Sequence, residues 1–529
     1  MRLLTACSLA CALIVTACAG GKQQITTPEP GIDRDATPYG TEARAGGVRG
    51  EAADATLTRV ITTQCQAKNL VLDGRLGEVA ESVARGSEGA QRAPSYAQVS
   101  HYAQEAGLIE PTPEVWVASA DDAKQLEPSI GQAIAEAAQK SKLSHCGGAV
   151  VRDGARLIVA LAWSSRLISL SQDVPAQIAS TDSLNLRGEL THGLKKPLLA
   201  ITDPKGQVSR TPLGEGATFK HTLRFPERGV YAIELLGEGP SGITVVANFP
   251  VAVGVAIPKV DALAAEGPAE RSAGEVSSAL ATLIAKEREA RKLPPLTIET
   301  RLAAIAQNHS QDMLAHGFIA HTSPSTGEAS DRVLRARLTS TVVLENIGRG
   351  YSASEIHQSL MESPGHRGNI LNPDARELGI GVVEEVEGDR LAFLATELFT
   401  RLAREVSLQD APKVLARELA AQRRLKKLKP VKLDDKLAAA AQRAAERLAE
   451  DPLLDQTELL DKATESVERA PKGSKGVGAA LLTAVDLDQV LESKRFLDPS
   501  LGWLGIGVAR AKALTASPLI VVLVFATTK

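Results

Sequence analysis

Two histidines and one carboxylate stand in short polar motifs within a single stretch of the chain. His321-Thr322-Ser323-Pro324 comes first, Leu344-Glu345-Asn346-Ile347-Gly348 follows, and Ser363-Pro364-Gly365-His366-Arg367-Gly368-Asn369-Ile370-Leu371-Asn372-Pro373 closes it. Proline and glycine punctuation of this kind places side chains on loops or helix starts. An imidazole beside a carboxylate has two chemical uses. Neutral histidine can bind a metal such as zinc, with the carboxylate as ligand or orienting partner, or the pair can move a proton. His321 and His366 are therefore expected to face one another across a cleft, with Glu345 holding or charging one of them. Each also has a plainer role: His321 bonding loop backbone, His366 fixing the Pro-Gly corner, Glu345 satisfying buried amides.

Other polar residues nearby are read more modestly. Arg367 and Asn369 are expected to pair with loops. His309, His316 and His357 fall at surface-like helical positions and receive no role. Glu397 either completes the acidic side of the site or is a solvated strand residue. The stretch has no Gly-x-Ser-x-Gly elbow, no cysteine nucleophile and no His-Glu-x-x-His helix, so serine-hydrolase and zincin-type chemistry are excluded.

The elements that must position these residues follow from periodicity. Leu280 to Lys292 reads as an amphipathic helix stopped by Pro294-Pro295, and Glu299 to Ala315 as a second. A β-branched run, Thr339 to Val343, leads into Glu345. Ser352 or Ser354 caps a helix over Glu355 to Glu362, which Pro364-Gly365 ends, leaving His366 at its mouth.

This arrangement is one of three. Leu72-Asp73-Gly74-Arg75-Leu76, Ile298-Glu299-Thr300-Arg301-Leu302 and Leu433-Asp434-Asp435-Lys436-Leu437 each open an alanine-rich helical run. Each module ends in a Gly-punctuated hairpin with an apolar second strand: Arg156 to Trp163, Arg390 to Phe399, and Leu519 to Phe525. Helix first, helical middle and terminal hairpin give an α/β class, with helices packed on a sheet. Between the first two modules, five short alternating runs from Asn185 to Phe249 argue for a small β-sandwich serving as spacer or interaction module.

The three motifs around His321, Glu345 and His366 resemble, in wording and order, those of bacterial members of the SCP/CAP superfamily over roughly Ala279 to Arg401. The resemblance implies an α-β-α sandwich for the middle module and degenerate CAP-like copies on either side of it. It also implies a central cavity that in some relatives holds a divalent metal between two histidines and two acidic residues. Here the last strand lacks the histidine found in many eukaryotic members, and Ser363 stands near where a second acid is often found.

Of 529 residues, 44% are hydrophobic and 23% charged, so the chain is globular and divided into several domains. A net charge of -3 and 3% aromatics argue against nucleic acid as a partner. Arg2, the apolar run Leu3 to Val15 and Val15-Thr16-Ala17-Cys18 read as a signal peptide ending in a sequence that resembles a bacterial lipobox, with Cys18 lipidated. The expected organisation is a signal peptide at 1–17, a lipidated tether at 18–55, a degenerate CAP-like module at 56–173 and the β-sandwich at 174–256. The CAP module at 270–402 and a second degenerate copy at 407–529 follow. After Cys7, Cys11 and Cys18 are set aside, Cys65 and Cys146 remain, an even pair that predicts a disulfide in an exported chain.

All nine histidines lie at or before His366, so the last module has none. Two modules without the motifs favour binding over catalysis. The expectation is a lipoprotein of the bacterial cell envelope, held by its lipid at the outer membrane, with His321, Glu345 and His366 binding an extracytoplasmic lipid, peptide or envelope protein. The alternative is a metal-assisted hydrolase using the same three residues.

Overall fold

A computed structural model describes residues 31–528 apart from 34–35, 88–93, 141–142, 258–269, 388–389, 404–406, 468–469 and 512–517. The signal peptide, Cys18 and the first part of the tether lie outside the described residues. The fold is mixed α/β, with three like-built sheets and one sandwich.

In the middle unit the sheet runs Thr297–Ile298, Glu377–Glu387, Arg390–Leu402, Ser340–Gly350. The central strand Arg390–Leu402 is mostly apolar on both sides because both are covered, with Thr396, Glu397 and Thr400 as its buried polar residues. Phe393, Ala395 and Phe399 pack against Leu280 and Ile284 of the helix Ala273–Ala290 and against Ile356 and Leu360 of the helix Ala353–Glu362. Leu398, on the other side, meets Leu302, Ile305 and Ala306 of the helix Thr300–His316. Three layers result. The Gly-x-Gly of the neighbouring strand lets that helix approach closely: a Cβ at Gly381 would stand 2.0 Å from the Gln307 nitrogen.

The last unit repeats this order with Lys432–Leu433, Leu501–Arg510, Leu519–Thr527 and Gly476–Ala484. In the first unit Val71–Leu72, His145–Asp153, Arg156–Ser164 and Glu114–Ala120 occupy the same places, with Val48–Arg49 added beside His145–Asp153. In all three, an acidic N-cap, Asp73, Glu299 or Asp434, accepts from the amide two residues on, at the start of the long helix. The turn before it holds Asn69, Lys292 or Lys427 in the left-handed region, at φ 58, 56 and 56°.

Four residues before that turn position, the crossover is locked in two different ways. Arg288 donates to the carbonyls of Pro294 at 3.1 Å, Ile370 at 2.8 Å and Asn372 at 2.9 Å. Arg423 does the same to Lys429, Phe496 and Asp498. The first unit has Cys65 there, joined to Cys146 with Cα atoms 6.2 Å apart. The expected disulfide is present, and it takes the place of a buried arginine clamp.

The sandwich stacks the sheet Val208–Pro212, Lys195–Thr202, Gly229–Gly239, Gly242–Val253, Gln177–Ile178 on the sheet Thr218–Arg224, Ser183–Leu190, Ile168–Leu170. Leu184, Leu186, Phe219 and Leu223 meet Ile233, Leu235, Phe249 and Val251 between them. Its first strand therefore starts at Ile168, ahead of the expected 174.

Residues 38–49, expected to belong to a flexible tether, are instead built into the fold. Tyr39 is buried with its ring 5.1 Å from Phe249, and it exchanges backbone hydrogen bonds of 2.8 and 2.7 Å with Val174. One aromatic residue and a short strand that completes an edge give this segment the burial that its composition as a whole disguises.

Candidate functional site

The strand Ser340–Gly350 forms one edge of the middle sheet, and its alternation presents polar groups to both layers. Val343, Glu345 and Ile347 face the helix Thr300–His316; Leu344 and Asn346 face the opposite layer. Glu345 and Asn346 were expected in a loop. They sit in mid-strand, where the β-branched run simply continues to Gly350.

Glu345 is buried and fully engaged. His321 Nδ1 lies 2.9 Å from Glu345 Oε1, and Arg332 donates to Oε2 as an ion pair. A carboxylate only accepts, so Nδ1 carries the proton and Nε2 is left as the other ring position. The loop that carries His321 is fastened on several sides. Arg332 Nη1 donates to the His321 carbonyl at 3.2 Å, His309 Nε2 lies 3.0 Å from the Ala320 carbonyl, and Ser323 Oγ donates to Asp312 at 2.5 Å.

His366 comes from the opposite layer. Pro364 was expected to end a helix, but it begins one: Ser363 caps the helix Pro364–Ile370, with proline at its first position, where a missing amide proton costs nothing. His366 and His321 do come together, with ring centroids 6.5 Å apart. They are not equivalent. Burial, with the nearby His321 and Arg210 charges adding to it, lowers the His366 pKa to about 3, so this ring is neutral. His321 keeps 32% of its side chain exposed.

Beneath them lies a polar network. Asn346 Nδ2 donates to Glu397 Oε2 at 3.1 Å and to the His366 carbonyl at 3.3 Å. Asn369 Nδ2 donates to Asn346 Oδ1 at 2.9 Å and to the Glu345 carbonyl at 3.2 Å. Glu397 is fully buried rather than solvated, Oε1 has no hydrogen-bond partner, and burial raises its pKa to about 7, against the Asn346 bond that lowers it.

Metal binding asks for three or more ligands converging on one point. Among the described residues no group of three His, Cys, Asp or Glu side chains is so placed. Glu345 is spent on Arg332 and on the very nitrogen of His321 that faces it. The residues present do not fit a zinc cradle.

The sandwich closes over the corner of the site. Glu234 Oε1 accepts from Ser363 Oγ at 2.6 Å and Oε2 from the Gly365 amide at 2.6 Å. Arg210 Nη2 donates to the Gly365 carbonyl at 2.7 Å and to Asn369 Oδ1 at 3.0 Å. Arg367 Nε donates back to the Gly206 carbonyl at 3.2 Å. The Thr322 amide donates to the Ser241 carbonyl at 3.3 Å, so the sandwich hairpin also lies against the His321 loop.

Sequence reasoning placed His309 and His357 at the surface, and both are buried. His309 falls on the stripe Leu302, Ile305, Ala306, His309, Met313, and this spacing is the signal that would have found it. His357 likewise follows Ala353 and Ile356 on the buried face of its helix. His316 is exposed as expected.

The flanking units hold the register and lose the chemistry. Glu345 and Asn346 pair with Leu398 and Glu397. The matching pairs are Ala479 with Val524 and Ala480 with Leu523 in the last unit, and Val115 with Ala162 and Trp116 with Leu161 in the first. Three polar positions of the middle sheet are apolar in both neighbours.

Residues 281–397 match the family model CAP, described as the Cysteine-rich secretory protein family. The chain is similar to the uncharacterized protein YkwD of Bacillus subtilis (strain 168), 36% identical over 99 residues, which are 18% of this chain and 38% of that protein. The chain thus spans under two fifths of that relative's length. Among solved structures, it is similar to an extracellular protein containing a SCP domain from Bacillus anthracis, with 17% identity, 45% of this chain and 87% of that chain covered, and a TM-score of 0.23. A cysteine-rich secretory protein from Staphylococcus aureus matches with 13% identity over 49% of this chain and 84% of that chain, at a TM-score of 0.21. The similarity to the CAP family is carried by residues 281–397 of this chain.

Proposed function

We propose that this protein is a lipid-anchored component of the bacterial cell envelope whose CAP domain binds an extracytoplasmic ligand, a lipid or a peptide, at the His321 side of the sheet edge. One observation carries this reading. The polar groups of the Ser363–Asn369 corner are already bonded to Glu234 and Arg210, while His321 keeps 32% of its side chain exposed with its ring held by Glu345. Glu345 and Arg332 fix its orientation, which suits recognition by a preorganised donor or acceptor. The flanking units, apolar at the matching positions, serve as scaffold. No helix among the described residues is long and apolar enough to cross a membrane, and the lipobox-like run ending at Cys18 supplies the proposed anchor.

The His321–Glu345 pair is also what a hydrolytic reading would build on, with Nε2 as base. One experiment separates the two. Residues 19–529 are incubated with lipid and peptide extracts of bacterial envelopes, and retained molecules are identified by native mass spectrometry, beside His321→Ala. Binding predicts a retained molecule that the variant loses, unchanged in mass after prolonged incubation. Conversion of that molecule by the wild type alone would favour the hydrolase, and equal retention by both proteins would contradict the His321 site.

A further inference from the structure

The turn joining the helix Ala411–Leu425 to the strand Lys432–Leu433 carries a charge run that the CAP site does not use. From Arg423 to Lys432 there are six basic residues and no acidic one, in a chain whose net charge is -3. Arg423 is buried and spent on three carbonyls. Arg424, Lys426, Lys427, Lys429 and Lys432 are exposed, and none of them is in an ion pair among the described residues.

The fold does not ask for this charge. The same turn in the first unit has Lys68 as its one cation, and in the CAP unit the cations are offset, Arg291 pairing with Glu287. The field at a helix C-terminus accounts for Arg424, but it fades within the last turn. Leu425 is 83% exposed at the position held by Ala67 and Ala290 in the other two units. Lys432 Nζ lies 5.9 Å from the Trp503 ring centroid, and Gly473, between the exposed Lys472 and Lys475, approaches the same ring.

We propose that this ridge docks on an anionic phospholipid surface, its cations on headgroup phosphates and Leu425 in the interface. Unpaired cations clustered beside an exposed leucine match such a surface in both charge and polarity. Nucleic acid fits less well, because Trp503 already lies under Lys432 and no second aromatic residue in the run offers a stacking platform. The contact would orient the protein at the membrane independently of Cys18.

Residues 19–529, which lack the anchor, are sedimented with vesicles of phosphatidylcholine alone or with phosphatidylglycerol added. The wild type is expected to sediment with the anionic vesicles only, and to be released by salt. The triple variant Arg424→Glu, Lys426→Glu, Lys429→Glu, which spares the left-handed Lys427, is expected to lose at least about tenfold in affinity, and Leu425→Ser to lose a smaller factor. Circular dichroism confirms that each variant is folded, and the salt series on the wild type tests the proposal without any variant. Equal binding to both vesicle types, salt-independent binding, or an unweakened triple variant would overturn it.

Discussion

Glu234 of the sandwich accepts the Ser363 hydroxyl of the CAP domain at 2.6 Å, across 129 residues of sequence. This contact and the one to the Gly365 amide occupy the cap of the helix that carries His366. The sandwich is thus part of the site's construction, more than a spacer.

Glu234→Ala leaves a buried hydroxyl and a half-buried amide without their acceptor. We expect a loss of about 1–3 kcal/mol, with faster hydrogen exchange at residues 363–369 as the local readout. Glu234→Gln keeps one acceptor oxygen and is expected to lose less.

Acid and base titrations of stability follow from two buried carboxyl groups and the half-buried His366. Glu234 and Glu397 have pKa values raised to about 7, mainly by burial, so the folded state holds protons that the unfolded state has released above its ordinary value of 4.5. Their contribution is complete below 4.5 and is lost as pH rises towards 7. His366, lowered to about 3, acts oppositely: its contribution is present above 6.5 and is lost as pH falls towards 3. Urea unfolding is expected to show stability falling between pH 5 and 7 on balance, with a shallower fall in Glu397→Gln.

Much of this was legible locally. The three motifs and the Gly-punctuated hairpins are short-range patterns, though Glu345 and Asn346 sit in a strand and Pro364 starts a helix where the opposite was expected, and the even cysteine pair gave the disulfide. Glu234 was not legible, because in an alternating strand with Ile233 and Leu235 it reads as the solvent side, and only the neighbouring domain covers it. His309 was missed although its stripe was present, because histidine was read as a surface residue by type. Tyr39 and Val48 were lost in a segment whose average composition looks like a linker.

The crossover locks are expected to fail in proportion to what they hold. Arg288→Met strips donors from three carbonyls, of which that of Ile370 is buried, and should cost about 1–3 kcal/mol. Because two of those carbonyls, Ile370 and Asn372, flank the end of the His366 helix, the His366 ring resonances should also broaden. Arg423→Met should cost a similar amount and leave those resonances unchanged.

The bridge in the first unit closes a separation of 81 residues. Replacing Cys65 and Cys146 by alanine is expected to cost about 4 to 5 kcal/mol in the chain-entropy account. Calorimetry should show the first unit melting earlier while the CAP unit keeps its transition.

The central claim is that the CAP cleft is a binding edge organised by Glu345 and Arg332, without a metal cradle. Metal content of residues 19–529 after mild zinc loading and dialysis, read by plasma mass spectrometry beside His321→Ala and His366→Ala, tests it most directly. The account predicts no stoichiometric metal in any of the three proteins. About one zinc per chain in the wild type, lost in both variants, would contradict it.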